Sequence, residues 1–298
     1  MIKLDRSKVQ EPINLAKPSQ KVKEEREKAI ALFAKGRDNE EGIEDERKKF
    51  KFDAYRDDSI KEALKKLSDN KCAYCESKFL HVYYGDIEHF RPKKKVGSGS
   101  NFESPGYYWM ATQWDNLLLS CLFCNQAKKQ ETLEDGEITI GKQNQFPLDD
   151  NDQYTRRREY NDGVDEKRLL IDPCLEDPET LLAYDEKGTI YPSKDDSTYE
   201  FRLAETSIHV FALQRLPLVL ERKAKWIEVQ AQIVRVKEYI QTLNDEIIGG
   251  ATDLQMRFNL ILNRELEILK KMTKSDQQYA GLARQEINNF LREIGIEV

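Results

Sequence analysis

The sequence lacks any long hydrophobic run. Apolar residues make up 39% of its 298 positions and charged residues 34%. No uninterrupted apolar stretch approaches the ~20 residues that a membrane-spanning helix needs, and Met1 to Gln20 has no apolar centre of the kind that marks a signal peptide. We therefore expect a cytoplasmic protein without a membrane partner.

Cysteine is also scarce, with five residues in the whole chain. So few thiols in a chain of this length favour a reducing compartment over the disulfide framework of a short secreted protein. A Walker-type glycine loop is absent as well, so any dependence on ATP would have to come from another subunit. The formal net charge of -6 argues against a protein that coats nucleic acid by bulk electrostatics.

Four of the five cysteines form two Cys-x-x-Cys pairs, Cys72 with Cys75 and Cys121 with Cys124. Two residues at this spacing reach one metal ion from a single loop, and two such loops complete a tetrahedral set of thiolates around zinc. Because four sulfurs leave no open coordination position, the predicted zinc is structural. The fifth cysteine, Cys174, has no assigned role.

The segment between the two pairs carries the residues with candidate chemistry. Residues 82–87 and 116–120 have the composition of short strands, and we expect a helix to begin at Cys124 and to carry Asn125, Lys128 and Lys129 in its first turn. Residues 93–106 are expected to form an exposed loop. Two strands and a helix held by one zinc ion would form a ββα-metal unit.

Hydrolysis of a phosphodiester needs a base that takes a proton from water and a positive charge that compensates the phosphate. His89 can supply the base. Glu88 precedes it in a predicted strand, where consecutive side chains point to opposite faces, so that one can face a metal ion and the other the water. A carboxylate together with the amide oxygen of Asn125 suits Mg²⁺ or Mn²⁺.

The rest of the chain predicts mainly helices, so the expected fold class is α+β and mostly α-helical. We divide it into N-terminal helices at 1–70, a ββα-metal core at 71–150, an irregular connection at 151–200 and a C-terminal helical bundle at 201–298. Ser59 is a candidate N-cap for a helix that leads into Cys72, whereas residues 36–51 are polar enough to predict an exposed connection. In the C-terminal region, apolar residues at steps of three and four from Trp226 to Ile247 indicate a long helix ended by Gly249-Gly250, and Ser275 is expected to start the last helix.

At its central residues the chain resembles the HNH endonuclease family. The elements that carry the resemblance are Cys72-Ala73-Tyr74-Cys75, Glu88-His89-Phe90-Arg91-Pro92, Asn116-Leu117-Leu118-Leu119 and Cys121-Leu122-Phe123-Cys124-Asn125-Gln126-Ala127-Lys128. The resemblance implies that His89 is the general base, that Glu88 and Asn125 ligate a catalytic Mg²⁺ or Mn²⁺, and that Asn116 braces the loop that orients His89. The chain departs from the commonest pattern in having Glu88 at the first ligand position and Asn125 where many members have histidine.

A narrower resemblance covers most of the chain. Glu88-His89-Phe90-Arg91-Pro92-Lys93, Tyr108-Trp109-Met110-Ala111 leading to Trp114-Asp115-Asn116-Leu117, Phe146-Pro147-Leu148 and Leu170-Ile171-Asp172-Pro173 are similar to the HNH component of Septu-type and retron-linked bacterial anti-phage systems. This resemblance implies a nuclease that acts on nucleic acid, with DNA as the expected substrate. It also implies an ABC-type ATPase as partner, in some systems together with a retron.

Basic residues near the motif could grip phosphate, or could simply form a solvated surface. They are Arg91, Lys93, Lys94, Lys95, Lys128 and Lys129. The alternative to an enzyme is a non-catalytic adaptor, in which the zinc site is architecture and the C-terminal helices recruit partners.

Overall fold

The computed structural model describes residues 1–33, 42–98, 101–133, 135–149, 166–244 and 252–296. Helices and strands both contribute, as the predicted α+β class requires. The α-helices are α1 (Ile13–Ala16), α2 (Gln20–Phe33), α3 (Ile43–Lys49), α4 (Asp58–Leu67), α5 (Leu122–Asn125), α6 (Tyr199–Val210), α7 (Leu216–Asn244), α8 (Thr252–Met272) and α9 (Ala280–Glu293). In the described residues, none of these helices combines the length and apolar character needed to cross a bilayer.

The strands form antiparallel pairs. They are β1 (Asp86–His89) with β4 (Leu117–Ser120), β2 (Val96–Ser98) with β3 (Asn101–Glu103), β5 (Lys128–Thr132) with β6 (Gly136–Ile140), and β7 (Leu182–Tyr184) with β8 (Ile190–Pro192). The register of the first pair sets Asp86 opposite Ser120 and His89 opposite Leu117. This pair therefore carries the candidate active-site residues on its first strand and ends at the second cysteine pair.

Helix α4 delivers the chain to the first cysteine pair. Its apolar residues Ile60, Leu64 and Leu67 recur at helical spacing and are buried. The predicted N-cap, Ser59, is wrong. The N-cap is Asp57, whose carboxylate accepts a hydrogen bond from the backbone N–H of Ser59 at 2.9 Å.

Three other local predictions need correction. The predicted strand at 82–87 lies instead at Asp86–His89, because the chain turns at Phe79, whose carbonyl accepts from Tyr83 N at 2.9 Å, and Val82 is 77% exposed. The polar stretch 36–51 contains α3, which buries Arg47 through its contacts with the Glu44 carboxylate and the backbone carbonyl of Phe33. The predicted loop at 93–106 contains the β2–β3 hairpin.

The helix expected from Cys124 onward is also wrong. Helix α5 ends at Asn125, and Gln126 is already extended (φ -98°, ψ 142°). Residues 128 and 129 then belong to β5, which pairs with β6. A close approach of Gly141 to the carbonyl of Gln126, where an added Cβ would lie 2.1 Å from the oxygen, fixes this hairpin against α5. The helical element of the predicted ββα unit is thus a single turn.

The C-terminal helices α7, α8 and α9 pack on one another around Val229, Ile233 and Val236 of the predicted seam. The last helix does not start at Ser275. It starts at Ala280, after Tyr279 adopts a left-handed conformation (φ 56°). Gly249-Gly250 and the part of the 151–200 segment before residue 166 lie outside the described residues.

A single apolar cluster joins the N-terminal helices, the cysteine loops and α6. Tyr74, between the first two cysteines, stacks on Phe211 with ring centroids 3.9 Å apart. The first cysteine loop is therefore packed directly against the C-terminal half of the chain.

Candidate active site and metal centre

The four paired cysteines meet in the interior. Their sulfur atoms lie within 4.8 Å of one another, all four residues are buried, and Cys75 Sγ lies 3.8 Å from Cys121 Sγ. A tetrahedral zinc with Zn–S bonds of about 2.3 Å would place its sulfurs about 3.8 Å apart. The cluster therefore could bind a zinc ion, as its spacing in the sequence predicted.

Donors from outside the cysteine side chains face this cluster. Arg215 Nη1 lies 3.5 Å from Cys124 Sγ, and the backbone N–H of Cys121 donates to Cys72 Sγ at 3.4 Å. Arg215 is 6% exposed and immediately precedes α7, which begins at Leu216. Four thiolates around Zn²⁺ carry a net negative charge, and a buried guanidinium compensates part of it.

His89, the last residue of β1, is buried and held at both ring nitrogens. Nε2 lies 3.0 Å from the carbonyl oxygen of Ala111, which can only accept, so this nitrogen carries the proton. Nδ1 then presents its lone pair to the ammonium of Lys93 at 3.1 Å. Burial, and next the positive charge of Lys93, hold the pKa of His89 well below its ordinary value. The imidazole is neutral and can accept a proton at Nδ1.

Lys93 lies between His89 and an aromatic wall. Its Nζ is 4.6 Å from the ring centroid of Tyr55, and Tyr55 meets the His89 ring edge-on at 4.4 Å. Burial lowers the pKa of Lys93 to about 8. The lysine is partly desolvated and rests on a cation–π contact, which keeps it beside the candidate base.

Glu88 forms a buried ion pair with Lys142. Its Oε1 lies 2.5 Å from Lys142 Nζ, although no described donor makes a hydrogen bond of normal geometry to that oxygen. Lys142 also donates to the carbonyl oxygen of His89 at 2.9 Å and is fully buried. Burial raises the pKa of the Glu88 carboxyl above its ordinary value, while the charge of Lys142 opposes that rise.

Asn125 ends α5 and reaches across to β1. Its Nδ2 donates to Oδ2 of Asp86 at 2.8 Å, and Gln126 Nε2 donates to the same oxygen at 3.0 Å. The other oxygen of Asp86 accepts from the hydroxyl of Tyr83 at 2.5 Å. Asp86 thus fixes the orientation of Asn125 and leaves the Asn125 Oδ1 as the oxygen that could ligate an ion.

Asn116 is buried and joins the backbone after His89 to the segment whose carbonyl accepts the hydrogen bond of His89 Nε2. Its Oδ1 accepts from the backbone N–H of Arg91 at 2.7 Å, and its Nδ2 donates to the carbonyls of Arg91 at 3.0 Å and Met110 at 3.2 Å. Met110 precedes Ala111, the partner of His89 Nε2. Asn116 therefore links the backbone after His89 to the turn that carries Ala111.

Asp86, Glu88, His89 and Asn125 all line one cleft of about 1420 Å³. Of the basic residues predicted near the site, Lys93, Lys94 and Lys95 line it too. Arg91 instead packs over Phe146 at 5.1 Å and lies 3.7 Å from Glu166. Lys128 and Lys129 lie on the β5–β6 hairpin, where Lys129 pairs with Glu137.

Sequence reasoning missed several residues of the site. Asp86 could have been found, because it lies two positions before Glu88 and shares its face of the strand. Lys142, Tyr55 and Arg215 carry no local signal, since each comes from an element distant in the sequence.

Comparison with known proteins finds relatives that are all Septu proteins. The chain is 36% identical over 252 residues to the Septu protein PtuB of Bacillus mycoides (strain KBAB4), which covers 82% of this chain and 79% of that protein. It is 27% identical over 227 residues to the Septu protein PtuA of the same strain, which covers 71% of this chain and 28% of PtuA. A Septu protein PtuB of Bacillus thuringiensis is 39% identical over 70 residues, 23% of each chain. No family model matches the chain.

Proposed function

The chain belongs to the family of the Septu protein PtuB, and we propose that it is a metal-dependent endonuclease of the HNH type that acts in bacterial anti-phage defence. The observation that carries the proposal is the state of His89. It is a buried, neutral imidazole with Nε2–H fixed on a backbone carbonyl and with Nδ1 directed at a cation. Such a fixed tautomer is what a general base for water activation needs.

In the proposed reaction, Nδ1 of His89 takes the proton of the attacking water. Lys93 holds that position in the free protein at 3.1 Å, and its flexible stem lets it move to a phosphate oxygen when nucleic acid binds. The Ala111 carbonyl stabilises the imidazolium that forms. Asn116 keeps the ring in place, because it bonds both the backbone after His89 and the backbone before Ala111.

Glu88 and Asn125 would hold the divalent cation, since carboxylate and amide oxygens suit Mg²⁺ or Mn²⁺. Bound there, the cation compensates the negative charge that develops on the phosphate and on the leaving oxygen. Lys142 contacts Oε1 of Glu88 and so leaves Oε2 for the cation. Asp86 orients Asn125 through its amide nitrogen.

The cysteines hold this arrangement together and take no part in the reaction. Cys121 directly follows β4, and Cys124 lies in the turn of α5 that presents Asn125. Cys72 and Cys75 precede β1, which presents Glu88 and His89. A zinc ion across the two pairs would therefore fix the distance between the two cation ligands.

We also propose that the protein works in the cytoplasm with a PtuA-like ATPase. Its membership of the PtuB family supports this, as does the absence of a Walker-type glycine loop in its own sequence. Two further proposals, that DNA is the substrate and that a retron is another partner, rest only on the resemblance of the sequence to Septu-type and retron-linked systems.

An adaptor without catalytic activity is the second candidate. Exposed apolar residues on α7 favour it, because Leu220, Ile227 and Val234 recur every seven positions on one face and are at least half exposed. A surface of this kind can dock a partner helix, whether or not the cleft is catalytic.

Cleavage of DNA and RNA with Mg²⁺ or Mn²⁺ separates these functions. The full chain should be tested alone and with any co-purified partner, next to His89→Ala and the matched control His209→Ala, which changes an exposed histidine of α6. We expect cleavage by the wild type and by His209→Ala and its loss in His89→Ala. Absence of cleavage by all three proteins under every condition would favour the adaptor.

A further inference from the structure

Two exposed aromatic rings lie on the lining of the active-site cleft. Tyr84 is 71% exposed and lies two residues before β1, and Phe102 is 38% exposed on β3 of the β2–β3 hairpin. The residue paired with Phe102 across the hairpin is Gly97, which offers no side chain to cover the ring. Both rings belong to the same cleft as His89 and Asn125.

A lysine accompanies each ring. Lys61 Nζ lies 4.3 Å from the ring centroid of Tyr84, and Lys95 Nζ lies 3.5 Å from that of Phe102. A ring next to an ammonium group can stack one nucleobase and bind the phosphate beside it. The cleft therefore carries this combination at two places.

Three further cations of the cleft are paired with carboxylates. Arg47 pairs with Glu44 at 2.7 Å, Lys48 with Asp45 at 3.1 Å and Arg56 with Asp53 at 3.4 Å. Lys51, Lys93 and Lys94 also line the cleft, where Lys93 lies against Nδ1 of His89 and Lys94 donates to the carbonyl oxygen of Lys48. Stacking of bases on the two aromatic rings would therefore add to the phosphate contacts that the lysines of the cleft can make.

We infer that the cleft takes single-stranded nucleic acid, with unpaired bases stacked on Tyr84 and Phe102 and the adjoining phosphates on Lys61 and Lys95. In a duplex the faces of the bases are stacked on one another and cannot reach these rings, whereas unpaired bases can. This inference specifies the substrate of the proposed nuclease. It rests on the proposed function only for the cleavage of the bound strand, not for its binding. DNA and RNA share the chemistry that it names.

The test is equilibrium binding by fluorescence anisotropy. The probes are a labelled mixed-sequence oligonucleotide as single-stranded DNA, the same sequence as single-stranded RNA, and the DNA strand annealed to its complement. The full-length His89→Ala protein is the background, so that the probes are not cut. We compare Tyr84→Ala and Phe102→Ala with Tyr84→Phe, Phe102→Tyr and the control Tyr191→Ala, an exposed tyrosine of β8 outside the cleft.

We expect tighter binding of single strands than of the duplex. Each alanine variant should weaken single-strand binding by roughly fivefold to a hundredfold, the range for loss of one stacked base, while the aromatic replacements and Tyr191→Ala keep it. The DNA and RNA arms show which strand is preferred. Equal affinity for single strand and duplex, or unchanged binding in both alanine variants, would overturn the inference.

The binding result is independent of the cleavage result. Stacking-dependent binding of single strands by a wild-type protein that cuts nothing would leave the inference standing and remove the nuclease. Cleavage that requires His89 but is unchanged in both alanine variants, together with equal affinity for single strand and duplex, would support the nuclease and overturn the inference. Tyr84 and Phe102 are exposed, and unchanged thermal unfolding of their alanine variants verifies that the fold is intact.

Discussion

Replacement of Lys142 by methionine should destabilise the protein strongly. The lysine is fully buried, lies 2.5 Å from Glu88 Oε1 and donates to the His89 carbonyl at 2.9 Å. Methionine fills similar volume but leaves the Glu88 carboxylate buried without its counter-charge. Breaking a buried pair in this way costs about 3–5 kcal/mol of unfolding free energy.

A second substitution separates loss of charge from loss of packing. Adding Glu88→Gln to Lys142→Met removes the buried charge altogether, so we expect the double variant to regain most of the lost stability. Lys270→Met is the control, because Lys270 pairs with Glu267 at the surface, where both side chains are 72% exposed. Its loss should stay within about 0.5 kcal/mol.

Urea unfolding followed by tryptophan fluorescence, with zinc present throughout, measures these differences. A loss below about 1 kcal/mol in Lys142→Met would contradict the buried-pair energetics. So would a double variant no more stable than the single one.

The other predictions concern the zinc cluster and the brace. Cys121→Ser should bind less zinc and unfold at a lower temperature, because a structural zinc contributes directly to folding; metal analysis and thermal melting check both. Arg215→Met should speed zinc release to a chromogenic chelator, since Nη1 lies 3.5 Å from Cys124 Sγ. The control Arg222→Met, at a buried arginine inside α7, should lower stability without faster zinc release from the folded protein. Asn116→Ala should cost about 1–3 kcal/mol in urea unfolding, because it leaves buried backbone groups without partners; a loss under about 0.5 kcal/mol would contradict the brace.

The sequence was most informative where chemistry depends on spacing. Two Cys-x-x-Cys pairs predicted a cluster because any fold that brings the loops together makes the same tetrahedral set, and the structure has the four sulfurs within 4.8 Å. Glu88 and His89 lie in β1, which pairs with β4, and their catalytic roles stay predictions. The resemblance to a Septu-type protein is confirmed by the match to PtuB, whereas the HNH assignment stays a prediction.

Tertiary contacts decided what the sequence could not predict. Lys142 reaches His89 across 53 positions and Arg215 reaches Cys124 across 91. No local pattern marks either residue. The helix expected after Cys124 failed for the same reason, because the pairing of Lys128–Thr132 with Gly136–Ile140 outweighs the weak helical preference of that stretch.

Zinc content and nuclease activity, measured on the same preparations of wild type and His89→Ala, test the central claim most directly. The claim is that a zinc cluster holds the site together, whereas residues of β1 and α5 perform the chemistry. We expect His89→Ala to keep the zinc content and thermal stability of the wild type and to lose Mg²⁺- or Mn²⁺-dependent cleavage. Full cleavage by a zinc-loaded, folded His89→Ala protein would contradict the assignment of His89 as the base.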